Sequence, residues 1–173
     1  MLTHAEQENL LAQLRLGKPL IKVPIEKKDE AWAFVKKEME KLKNRFHPLV
    51  LINGNPVIGD GTKIGIFSEV YDKGGIVKIG ANCDIASFVA INCGDSHRRV
   101  VEDAQLGVDC RPIRIAQNVF VGSHCFIGGG TTIGHNSVIA AGTIIIGKTV
   151  PPYSLVWGAH PCRIRKGYYR GKT

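Results

Sequence analysis

Aromatic residues make up only 7% of the 173 positions, against 20 glycines. A core short of rings must be filled with aliphatic side chains, and so many glycines point to frequent tight turns. No apolar run reaches the roughly 18–20 residues of a membrane-crossing helix, so no membrane partner is expected. The five cysteines, at positions 83, 93, 110, 125 and 162, are odd in number and show no C-x-x-C spacing. That argues against a disulfide framework and against a structural zinc site. The opening stretch MLTHAEQENLLAQLRLGK has acidic residues ahead of its apolar ones and no basic start. A secretory signal is therefore not expected, and a reducing cytoplasm is the expected compartment.

With 44% hydrophobic and 22% charged residues, the composition suits a folded soluble protein. The formal charge of +8 is unevenly placed. Residues 1–50 carry 10 basic and 7 acidic side chains, residues 51–150 carry 8 of each, and residues 151–173 carry 5 basic and none acidic. The long middle is neutral, so there is a basic tail but no basic stripe, and no nucleic-acid partner is expected.

Residues 1–48 read as an arm of two helices. Thr3 and Glu6 make a T-x-x-E capping box, Leu10, Leu11 and Leu14 recur at helical spacing, and Gly17 stops the pattern. After Pro19 to Pro24, the segment DEAWAFVKKEMEKLKNRF places Trp32, Val35, Met39 and Leu42 on one helical face as packing, and His47-Pro48 marks the boundary.

From residue 52 the period becomes six. Ile52, Ile58, Ile64 and Val70 keep it, then Ile79, Ile85 and Ile91, then Ile115, Val121, Ile127, Ile133, Ile139 and Ile145. The next residue is small at Ala116, Gly122, Gly128, Gly134 and Ala140. Four positions after each aliphatic stand Val119, Cys125, Thr131, Ser137, Thr143 and Thr149. No helical period divides six, and self-similarity at a fixed period marks a repeat architecture. The spacing predicts a β-helix with three short faces, in which the aliphatic and small columns point inward and each turn stacks on the last. Cys83 and Cys125 fall in the small column and read as core filler.

Two breaks interrupt this frame. Asp72 to Gly75 insert three residues, and between Ile91 and Ile115 lies the polar, aperiodic segment NCGDSHRRVVEDAQLGVDCRPIR. Loops on a rigid scaffold are where sites tend to lie. Six residues after Ile91 comes His97, where the next inward aliphatic is due. A histidine there suits a general base. Asp95, Glu102 and Asp103 are each candidates to orient its ring, and Cys93 and Cys110 flank the loop.

The segment from IAQNVFVGSHCFIGGG to VPPYSLVWGAHPCRIRK resembles the hexapeptide-repeat acyltransferases, nearest the maltose and galactoside sugar O-acetyltransferase branch. The resemblance is dense over residues 76–166 and weaker over 52–75. It implies a mainly β fold, a left-handed parallel β-helix of hexapeptide repeats with a short N-terminal helical arm, assembled as a homotrimer with active sites between subunits. The expected organisation is the arm at 1–48, the β-helix at 49–150 with a catalytic loop at 97–112, and a basic closing segment at 151–173. The family's catalytic histidine precedes a loop that returns on a P-I-x-I strand, here Pro112-Ile113-Arg114-Ile115. The resemblance thus makes His97 the general base for transfer of an acetyl group from acetyl-CoA, as co-substrate, to a sugar-type hydroxyl. It places Ser123 and Ala141 along the pantetheine arm, and Lys148 and Arg163 at the coenzyme A phosphates.

Departures from the family are Arg98-Arg99, where the sugar O-acetyltransferases have proline, and Phe120, where many relatives have tryptophan. A guanidinium pair favours an anionic acceptor. The alternatives are N-acetylation of an amino sugar or nucleotide-linked amino sugar, and a non-catalytic β-helix scaffold. A γ-class carbonic anhydrase shares this fold, but His97, His124 and His135, spaced 27 and 11 apart, do not match its zinc pattern, so no metal is expected.

Overall fold

The structure is a computed structural model that describes residues 3–6, 28–40, 46, 49–74 and 76–171. The chain divides into two compact units, Met1–Pro48 and Leu49–Thr173.

In the first unit Thr3 and Glu6 form the expected capping box. The Thr3 backbone N–H donates to Glu6 Oε2 at 2.8 Å and the Glu6 N–H donates to Thr3 Oγ1 at 3.3 Å. Leu10, Leu11, Leu14 and Leu42 lie outside the described residues. Helix α1 (Lys28–Glu40) has acidic Asp29 and Glu30 in its first turn, favourable beside the positive end of its dipole. Among its described side chains Ala31 and Val35, four apart on one face, are buried, whereas Trp32 is 52% exposed. The expected packing role of Trp32 is thus corrected.

The second unit is a left-handed parallel β-helix of about five turns. The first two turns are β1 (Leu51–Gly54), β2 (Val57–Ile58) and β3 (Lys63–Ile64), then β4 (Glu69–Asp72), β5 (Val77–Ile79) and β6 (Asp84–Ile85). The third starts with β7 (Ala90–Asn92) and leaves the coil through β8 (Gly94–Asp95), α2 (His97–Val101) and β9 (Asp109–Cys110). It returns as β10 (Ile113–Ile115) and β11 (Phe120–Val121). The last two turns are β12 (Phe126–Gly128), β13 (Thr132–Ile133) and β14 (Val138–Ile139), then β15 (Ile144–Ile146), β16 (Thr149–Val150) and β17 (Leu155–Trp157). Finally β18 (Arg163–Arg165) turns back antiparallel on β17 and covers its edge. The coil therefore runs past residue 150 to Trp157.

Every third strand of the coil, β8 and β9 left aside, shares a face. On the first face Ile52, Val70, Ile91, Ile127 and Ile145 stand in register; on the second, Ile58, Ile79, Ile115, Ile133 and Val150; on the third, Ile64, Ile85, Val121, Ile139 and Val156. The period-six column is this aliphatic core, nearly all of it sealed from solvent. The small column is buried beside it and spends its hydroxyls on carbonyl oxygens, as Thr62 Oγ1 does on Gly80 (2.7 Å) and Ser154 Oγ on Pro151 (2.7 Å).

Beyond the two breaks, the frame slips by one residue in the last turn. Ile145 to Val150 is a step of five, so Val150 (1% exposed) and Ser154 (0%) take the inward columns. Thr149, expected inward, is exposed. The glycines after the aliphatics are there for room. A Cβ on Gly122 would come within 2.5 Å of the Ala141 nitrogen in the next turn, and one on Gly134 within 2.4 Å of the Pro152 nitrogen. Most of the turning is done three positions after an aliphatic, in the left-handed region, at Phe67, Asn82, Phe88, Asn118, His124, Asn136 and Tyr153 and at glycines such as Gly61, Gly130 and Gly142.

Candidate active site

His97 does not fill the inward position at which the count placed it. The chain leaves the coil after β7, and Ile113 and Ile115 of the returning strand are buried in its stead. The protrusion is closed at its root by the two-stranded ribbon β8–β9, pairing Gly94 with Cys110 and Asp95 with Asp109. The Arg111 N–H to Cys93 carbonyl bond (2.9 Å) anchors its return. The two breaks in the repeat meet here. Cys110 Sγ donates to the Lys73 carbonyl at 2.9 Å and Cys93 Sγ reaches the same oxygen at 3.7 Å. Burial, with Cys110 next to it, pushes the Cys93 thiol up to about 11. Asp72 stiffens the first break by accepting the Ile76 and Val77 N–H groups on Oδ1 at 2.6 and 2.7 Å.

His97 opens α2 on the outside of the coil. Its Nδ1 lies 2.7 Å from Asp95 Oδ1, and the same oxygen accepts the His97 backbone N–H at 3.0 Å. Those two hydrogen bonds, backbone first and ring second, hold the Asp95 carboxyl below the usual carboxylate range. Of the three acids that sequence offered as partners, Asp95 is the one that orients the ring. Glu102 is occupied by Arg98, whose Nε donates to its two oxygens at 3.0 and 3.2 Å. Arg98 therefore has an acidic partner of its own on the helix, through Nε alone. With a carboxylate accepting at Nδ1, the neutral imidazole carries its proton there and presents Nε2 as the free acceptor. The histidine and aspartate side chains are 60% and 50% exposed. That leaves Nε2 open to an incoming group.

The remaining expected site residues sort onto two corners. Ser123, after β11, and Ala141, after β14, stack in successive turns where the third face meets the first. The Ser123 carbonyl accepts the Gly142 N–H at 2.9 Å, whereas the N–H groups of Ser123 and Ala141 donate to no group among the described residues. Arg163 tops this corner, paired across β17–β18 with Trp157. Lys148 stands between β15 and β16, where the first face meets the second, the corner from which the His97 loop springs. One chain therefore places His97 and Lys148 on one corner, two turns apart, and Ser123, Ala141 and Arg163 on another, but does not join the two sets. The width of the first face separates them.

Sequence reading missed Arg111. Its Cβ packs where a Cβ of Gly129 would lie (3.1 Å), and its Nη1 sits 3.7 Å from the Cβ positions of both Gly130 and Gly147. It thus runs up the His97 corner across two turns. The available signal was a basic residue just before Pro112, in front of three glycines at 128–130 in the next turn.

Among described residues no group of three or more His, Cys, Asp or Glu can hold a metal, and no helix is long and apolar enough to cross a membrane. His124 is an exposed corner residue stacked on Phe88 (4.9 Å), and His135 packs edge-on to Tyr153 (5.0 Å).

Residues 112–146 match the family described as the hexapeptide repeat of succinyl-transferase. No curated protein matches the chain. Among solved structures, galactoside acetyltransferase in complex with coenzyme A is 25% identical over 97% of this chain and 82% of its own, with a TM-score of 0.51. A mutant of AntD, an N-acyltransferase from Bacillus cereus, in complex with dTDP and coenzyme A is 18% identical over 68% of this chain, with a TM-score of 0.57. The matched part spans 66% of that AntD chain. A second AntD mutant, in complex with dTDP-4-amino-4,6-dideoxyglucose and coenzyme A, is 18% identical over 70% of this chain and 68% of its own, with a TM-score of 0.60.

Proposed function

We propose that the protein is a CoA-dependent acyltransferase that moves an acetyl group from acetyl-CoA to the hydroxyl of a sugar or sugar-derived acceptor, with His97 as general base. The observation that carries this reading is the oriented pair. Asp95 fixes the Nδ1–H tautomer of a histidine on a loop above a rigid coil, which leaves Nε2 to take a proton as the acceptor oxygen attacks. The likeness to galactoside acetyltransferase across almost the whole chain supports the choice of donor.

The chain's own groups suit each step. His97 Nε2 accepts the acceptor proton and returns it to the departing thiolate. Asp95 stabilises the imidazolium formed in between. The Ser123 and Ala141 N–H groups, one turn apart and unspent, match an amide-bearing chain laid along their corner. An N–H of this kind also answers the negative charge that develops on the thioester oxygen. Arg163 and Lys148 supply cations for phosphates. Because the two sets of residues occupy different corners, a site complete in donor and base groups takes its halves from neighbouring copies. This supports assembly as a homotrimer, with each site between two subunits.

The test is release of coenzyme A thiol from acetyl-CoA against neutral sugars, amino sugars and nucleotide-linked amino sugars. Release that depends on a hydroxyl acceptor supports the reading. Release with amines alone transfers it to N-acetylation, and no acetyl-CoA binding at all sinks it.

A further inference from the structure

We propose that the corner carrying His97 also holds a seat for a phosphate-class anion, with Arg111 as its guanidinium and Lys148 beside it. The corner is built differently from the other two. Its left-handed positions are Gly54, Gly74, Gly130 and Gly147. The next corner carries Asn82, Asn118 and Asn136, and the third carries the ring stack Phe67, Phe88 and His124. Glycine throughout leaves a strip of bare backbone that a ligand can approach closely.

Arg111 is laid along that strip. Its stem is fixed against Gly129, and its Nη1 lies 3.7 Å from the Cβ positions of Gly130 and Gly147. No group among the described residues accepts from its guanidinium. Arg98, by contrast, pairs with Glu102, and the Asp95 carboxylate, which feels the Arg111 charge, makes its two hydrogen bonds to His97 through Oδ1. A planar guanidinium with unspent donors, held over bare backbone at the glycine that precedes Lys148, fits a phosphate oxygen pair. Arg111, more than the Arg98-Arg99 pair, is thus the guanidinium placed for an anionic ligand. The anion is a phosphate of the donor or of a phosphorylated acceptor. Only this choice of source rests on the acyl-transfer reading.

The test is titration calorimetry on the full chain, wild type, Arg111→Ala and Arg111→Lys, with inorganic pyrophosphate as the direct probe. Arg111→Ala is expected to weaken pyrophosphate about 10- to 100-fold, with a partial loss in Arg111→Lys. An unchanged melting curve excludes a folding effect. Two further arms find the source. A loss for coenzyme A that shrinks with 3′-dephospho-CoA assigns the donor, and a loss for glucosamine 6-phosphate but not glucosamine assigns the acceptor. Either supports the seat. Pyrophosphate, coenzyme A and glucosamine 6-phosphate all binding Arg111→Ala as tightly as wild type would overturn it, as would no pyrophosphate binding to wild type. If pyrophosphate separates wild type from Arg111→Ala while acetyl-CoA does not bind at all, the acyl-transfer reading fails and the anion seat stands.

Discussion

Alanine at position 150 and, separately, at position 149 asks which of two neighbours points into the coil where the frame slips. Val150 is 1% exposed and pairs with Ile133 in the aliphatic column. Truncation removes two carbons, worth about 1.6 kcal/mol at roughly 0.8 kcal/mol per buried methylene. A cavity of about 45 Å3 at roughly 24 cal/mol per Å3 adds about 1 kcal/mol. Val150→Ala should therefore cost about 2–3 kcal/mol, lowering the melting temperature by about 5–10 °C for a chain of this size. Thr149 is exposed, so Thr149→Ala should stay within about 0.5 kcal/mol of wild type. The assay is thermal or urea denaturation at one protein concentration, because association would shift all midpoints. The slip is also what turns Gly147 and Lys148 onto the corner beside Arg111. A loss in Thr149→Ala equal to that in Val150→Ala would refute the slipped frame and, with it, that placement.

Asp95→Asn should lower kcat about tenfold with little change in KM, because the ring survives but loses the carboxylate that sets its tautomer; solvent around the pair keeps the loss modest. Since Asp95 titrates below the usual carboxylate range, its hold on the loop is present above that range and is lost only as pH falls through its own lowered pKa. Loop protection in hydrogen exchange should accordingly persist to about pH 4. Cys93, raised to about 11, should react with a disulfide reagent later than Cys110, and the advantage of its neutral thiol should fade as pH climbs past the ordinary thiol range; peptide mapping after a brief exposure orders the two. Asp72→Ala strands two backbone N–H groups and should cost about 2–4 kcal/mol, whereas Asp72→Asn keeps an oxygen for them and should cost far less in the same denaturation assay. Sedimentation should give three times the 18.9 kDa chain mass.

The period of six was strong enough in the sequence to place nearly every inward aliphatic from Ile52 to Ile145, because each is repeated in register by the turns above and below it. It failed where TIIIGKTV offers four apolar residues in eight and a five-residue step looks like a six. It failed again at His97, because counting across an insertion assumes a coil that the chain has already left. Trp32 was misplaced because helical spacing alone does not say which arc of α1 is covered. The identity of the loop as a site was legible from its broken period, but the choice of Asp95 over Glu102 and Asp103 depended on the turn that folds Asp95 back on the His97 N–H. Residues 18 apart share a corner, so Ser123 and Ala141 were pairable from their numbers. Arg111 was not, since its partners are glycines one and two turns away.

The most direct test of the account is acceptor-dependent release of coenzyme A thiol from acetyl-CoA by wild type and by His97→Ala, at equal and verified acetyl-CoA occupancy. The account predicts turnover by wild type and a fall of about 10²–10⁴-fold in His97→Ala, with binding retained. Turnover in His97→Ala at the wild-type rate would contradict it.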